Sequence, residues 1–178
     1  MKKVICVVCI LIVTLSSCQS EFNDNFTANQ IESSIFAEVN GNGGYCDVSE
    51  YYFNNFFSDM NGIRDYKIYV SDESTNFDEF GIFEFNSAKN AQKAKSKVKA
   101  YLVSAKKAFE SGIIYNAEEY PKFQSAKVER YGNNLVYTIL DSALANSISK
   151  ALNQTIKKGS PLFLFCYRFT YFCDRSHF

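Results

Sequence analysis

Three carboxylate pairs hold most of the reactive chemistry in this sequence: Asp72–Glu73, Asp78–Glu79 and Glu118–Glu119. Each falls in or beside a stretch that reads as a loop. Paired carboxylates do acid–base work in glycoside cleavage when they stand about 5–10 Å apart across a cleft, and they bind calcium through oxygen. The segment 72–79 lacks the glycine and terminal-glutamate spacing of an EF-hand loop. Solvated loop charge is the plainer reading, which leaves Asp78, Glu79, Glu118 and Glu119 as candidate ligand-binding residues. Glu79, at the start of a strand, is the one expected to be structural, either capping a turn or meeting a lysine of the long helix that follows. The single histidine, His177, lies one residue from the end. Without it no Ser-His-Asp or Cys-His set assembles, so no catalytic residue is assigned.

The cysteines point to an address instead. Lys2 and Lys3 precede an uncharged apolar run, Val4 to Val13, and Leu15-Ser16-Ser17-Cys18 follows. A positive end, a short apolar core and small residues at the cut make a secretory signal. The run is too short to span a bilayer, which takes about 20 apolar residues. Ending on cysteine, the motif reads as a bacterial lipoprotein signal. The Cys18 sulfur accepts a diacylglyceryl group, and two acyl chains anchor stably where one does not. Cleavage before Cys18 removes Lys2 and Lys3 and leaves 17 basic against 19 acidic side chains, formally −2. That balance argues against a nucleic-acid partner. Of the six cysteines, Cys6 and Cys9 leave with the leader, so Cys46, Cys166 and Cys173 remain unmodified. An odd number allows at most one internal disulfide. No Cys/His cluster survives, so no metal site is expected. Cys46, after a glycine-rich turn at Gly41, Gly43 and Gly44, reads as a free or buried thiol. No glycine-rich phosphate loop is present, and no cofactor is expected.

These residues must be positioned by a single domain. Residues 1–17 form the leader, 18–26 a short lipidated tether, 27–158 the folded unit and 159–178 an aromatic tail. Thr27 to Gln30 has capping-box spacing, and Ile31, Ile35, Phe36 and Val39 recur with helical period, which predicts a helix over 28–39. Asp47-Val48-Ser49-Glu50 opens a second helix through Phe57. Tyr66 to Val70 and Phe80 to Phe85 alternate as two strands of a hairpin. Ser87 caps a long helix, 88–110, whose stripe is Ala91, Ala94, Val98, Leu102, Ala105 and Phe109. Lys89, Lys93, Lys97 and Lys107 project from its far side, either into solvent or onto anionic headgroups. Residues 113–123 read as a loop with a short helical turn. Ala126 to Tyr131 and Leu135 to Leu140 form a second hairpin around Gly132-Asn133-Asn134, and Ala143 to Lys157 a last helix. The order predicts an α+β fold: one antiparallel sheet of about four strands packed against helices, with the long helix between two hairpins. The tail, nearly all apolar from Leu162 to Cys173, reads as poorly integrated.

The stretch from Tyr66 to Asp141 resembles the lipoprotein-associated domain of unknown function 4358. The resemblance rests on an order of features: Tyr69-Val70-Ser71, then Asp78-Glu79-Phe80-Gly81-Ile82-Phe83, the lysine-rich helix, Tyr115-Asn116-Ala117-Glu118-Glu119-Tyr120, and closing strands from Val128 to Leu140 with Tyr131-Gly132-Asn133. It implies an exported, lipidated domain and assigns no activity. The expectation is a non-catalytic binding module on the extracytoplasmic face of the cell membrane, with membrane lipid and an envelope protein as partners. The alternatives are a small envelope hydrolase using loop carboxylates, or a small-ligand-binding lipoprotein.

Overall fold

In the computed structural model, residues 26–39, 44–112 and 116–158 are described. The leader, Cys18, most of the tether, the aromatic tail with Cys166, Cys173 and His177, and Tyr115 of the quoted motif lie outside them.

Thr27 starts the first helix by a reciprocal exchange. Its backbone N–H donates to Gln30 Oε1 at 3.0 Å, and the Gln30 N–H donates to Thr27 Oγ1 at 3.4 Å. The helix α1, Ala28–Val39, buries Ala28, Ile31, Ile35 and Val39 on one stripe. A three-residue strand β1, Tyr45–Asp47, follows. Asp47 Oδ1 then accepts from the Ser49 N–H at 2.8 Å and opens α2, Ser49–Tyr52, which widens into a π-helical turn, Phe53–Phe57. The strands β2, Ile63–Ser71, and β3, Glu79–Phe85, make the first hairpin. The helix α3, Ala88–Glu110, begins at Ser87, whose side chain accepts from the Asn90 N–H at 3.2 Å. A 3-10 turn, Ala117–Glu119, and the helix α4, Tyr120–Ser125, lead to β4, Lys127–Tyr131, and β5, Asn134–Ile139. The helix α5, Ser142–Lys158, closes the fold.

The sheet runs β1-β2-β3-β5-β4, antiparallel throughout. It therefore has five strands, one more than the pattern predicted. The extra strand is β1, too short to show alternation and overlapping the residues that cap α2. In the same region, 120–125 forms a helix of its own, with Pro121 in its first turn, where proline's missing N–H costs nothing. Strands β3 and β5 are buried along their whole length because both sheet faces are covered. On one face Ile68, Phe83, Phe85, Leu135, Tyr137 and Ile139 pack under α3, the π-helical turn and α4. On the other, Tyr69, Phe80, Ile82, Val136 and Leu140 pack under α1 and α5.

Two glycines set the local geometry. Gly132 takes φ +60° while Asn133 keeps a negative φ, the pattern of a type II′ turn, so β4 and β5 join through two residues. Gly81 sits opposite Tyr137 in the register. A Cβ there would come within 2.1 Å of the Tyr137 ring, so the missing side chain is the space in which that ring lies. Gly81→Ala is expected to cost about 1–3 kcal/mol by overpacking. Thermal unfolding followed by circular dichroism checks this. An unchanged midpoint would mean that the ring has room to move.

Candidate functional site

The four candidate carboxylates separate into three environments. Glu79 is the first residue of β3, on the face that α3 covers. Its Oε1 accepts from the Tyr101 hydroxyl of α3 at 2.7 Å and from the Tyr137 hydroxyl of β5 at 2.6 Å. The lysine of the long helix expected at this carboxylate is absent. Tyrosines take its place, because the residue on α3 that faces Glu79 borders the apolar stripe rather than the lysine side. Its paired neighbours across the strands are Val70 and Ile139, both apolar. With no cation beside it, burial dominates and pushes the Glu79 carboxyl up from 4.5 to about 7, against the pull of the two phenol donors. Burial and the nearby carboxylate together push Tyr101 and Tyr137 far above the ordinary phenol range.

Asp78 turns the other way along the strand and meets a cation. Lys122 Nζ of α4 lies 2.7 Å from Asp78 Oδ1, 2.7 Å from Glu119 Oε2 and 2.9 Å from Asn76 Oδ1. Glu119 also accepts from the Phe77 N–H at 2.8 Å, and Asp78 Oδ2 accepts from the Tyr45 hydroxyl at 3.2 Å. This buried knot ties the β2–β3 connection to α4 and to β1. Burial alone would lower the Lys122 pKa, but the hydrogen bonds and charges of Asp78 and Glu119 outweigh it and raise the value. Glu118 stands apart, exposed on the 3-10 turn that Asn116 caps. So Asp78 and Glu119 converge, on a lysine that the sequence reading passed over. Its signal was the i, i+3 spacing of Glu119 and Lys122.

The Glu79 network extends outward. The Tyr52 hydroxyl of α2 is in hydrogen-bonding contact with Tyr101, their rings 6.3 Å apart in an edge arrangement. Burial and the Glu79 charge push Tyr52 up to about 12. Both tyrosines line an open groove of about 460 Å³ between the π-helical turn and α3. Phe56 forms part of one wall, and Ala100, Ser104 and Ala108 form the other. Phe56 is 42% exposed, and Tyr51 beside α2 is 66% exposed. The π-helical turn is what orients this wall. One extra residue per turn sends Phe57 into the core against Phe83 and Tyr101 while Phe56 stays at the rim. Such turns occur often at functional sites.

Cys46 is exposed on β1 and is a free thiol among the described residues. Among the same residues, no group of three or more His, Cys, Asp or Glu is set to hold a metal ion, and no helix is long and apolar enough to cross a membrane.

Comparison with curated proteins and with solved structures finds no match. A family model does match. It spans the π-helical turn, both hairpins, the long helix and the lysine knot, and over residues 54–140 the chain carries a domain of the family described as domain of unknown function (DUF4358).

Proposed function

We propose that the protein is a lipid-anchored, extracytoplasmic binding module, held by Cys18 and docking a segment of an envelope protein into the groove between the π-helical turn and α3. The observation that carries this is the groove itself. It sets an exposed Phe56 and two tyrosines against a wall of small residues. Aromatic anchors and closely approachable backbone are what a helix-in-groove contact uses. Helix α3 carries seven lysines against one glutamate, Glu110, so charge complementarity favours an apolar segment flanked by acidic residues. A hydrolase reading needs two free carboxylates facing a cleft, whereas Asp78 and Glu119 share Lys122.

The test is photo-crosslinking in cells from an unnatural residue at position 56. One discrete partner band is expected. Ser104→Arg, which fills the groove from an exposed helix position, should abolish it, and Glu118→Gln should leave it intact. A band indifferent to Ser104→Arg would remove the groove from the account. Mass spectrometry of the native protein tests the anchor: a chain starting at an acylated Cys18 is expected, and an intact leader would overturn it.

A further inference from the structure

Glu79, Tyr101 and Tyr52 form a line of exchangeable protons that runs from the sheet core to the groove wall. Each hydroxyl has one hydrogen to give. When the carboxylate is charged, Tyr101 and Tyr137 both donate to Glu79 Oε1. The Tyr101 hydrogen is then spent inward, so its oxygen can only accept from Tyr52, and the Tyr52 hydrogen is drawn away from the groove. When the carboxyl is neutral, it has a hydrogen of its own. Tyr137 is fully buried, with Glu79 as its hydrogen-bond partner among the described residues, and it keeps donating there. The new carboxyl hydrogen goes to Tyr101, Tyr101 turns its own toward Tyr52, and Tyr52 is left free to donate outward. One proton enters, three hydroxyls reorient, and no bond between heavy atoms changes.

We propose that Glu79, acting through Tyr101, sets whether Tyr52 offers the groove a hydrogen-bond donor or an acceptor, so that docking there is coupled to uptake of one proton. The groups that face Glu79 are consistent with a single-site event. Tyr101 comes from α3, Tyr137 from β5 and, one step further out, Tyr52 from α2; the cross-strand neighbours Val70 and Ile139 do not titrate. Lys97 at the groove rim is held by Asp59 at 2.9 Å. The burial that lifts the carboxyl to about 7 puts the change in the neutral range.

The inference rests on the groove being the docking surface, but its test needs no partner, so the two can fail separately. The full chain, labelled at the tyrosine ring carbon that bears oxygen, is titrated by NMR from pH 5 to 9. Tyr52, Tyr101 and Tyr137 should shift together with one midpoint near 7. Glu79→Gln should flatten all three. Tyr101→Phe should flatten Tyr52 and leave the Tyr137 titration in place, which a merely structural role for Tyr101 would not do. A Tyr52 signal flat in the unaltered chain overturns the proposal without any variant. So does a Tyr52 that still titrates in Tyr101→Phe.

Discussion

Lys122→Met is expected to lower unfolding stability by about 3–5 kcal/mol at pH 7, the range for removing one partner of a buried ion pair. The substitution keeps the length and bulk of the side chain. It leaves the Asp78 and Glu119 carboxylates, each 2.7 Å from the lost ammonium, facing each other with little water. Each keeps one other donor, Tyr45 to Asp78 and the Phe77 N–H to Glu119, too little to replace a shared cation. Urea unfolding followed by circular dichroism measures the loss. The triple change Asp78→Asn, Glu119→Gln, Lys122→Met should recover much of it, since the cost comes from unpaired charge rather than lost packing. A loss below about 1 kcal/mol would mean that water reaches the site and that the knot behaves as a surface pair.

The knot also marks where sequence reading stops. Elements written in local signals were legible: the Thr27 capping box, the Ser87 cap, the 3.6-residue stripe of α3 and the alternation of Phe80 to Phe85 all form as their patterns require. Strand β1 was not, because three residues with two of them exposed carry no period. The layering was not legible either. Periodicity says that a helix has an apolar face, but not which side of the sheet receives it, so nothing local separates α1 and α5 from α3. The same limit governs the site. Asp78, Glu79 and Glu119 were visible as charges near strand and loop ends. What joins them, Lys122 and Tyr101 with Tyr137, is set by strand register and helix position. The expectation of a lysine at Glu79 was right in kind, a residue of α3, and wrong in chemistry. The sequence did hold one usable trace: an inward strand acid followed two residues later by Gly81, whose empty side-chain space admits an aromatic ring from the next strand.

The second large effect is a stability that falls as pH rises through neutrality. Glu79 has a folded-state pKa of about 7 against 4.5 unfolded, with burial as the leading cause. The folded chain therefore holds this proton over a range where the unfolded chain has already released it. The stabilising contribution is full below about pH 4.5 and is lost as pH passes the folded value. At about 1.4 kcal/mol per unit, the unaltered protein should lose about 2–3 kcal/mol more than Glu79→Gln between pH 5 and pH 8. The comparison with Glu79→Gln isolates this group, because the Lys122 knot contributes equally to both chains. The amide keeps a carbonyl oxygen to accept from Tyr101 and Tyr137, so the variant stays folded and carries no ionisable proton at this position. Urea unfolding at pH 5, 6, 7 and 8 gives both curves. If they run parallel, the carboxylate is solvated well enough to ionise at its ordinary value. The barrier between groove and core would then be wet, and with it would go the reason for two tyrosine hydroxyls to converge on a single carboxylate oxygen.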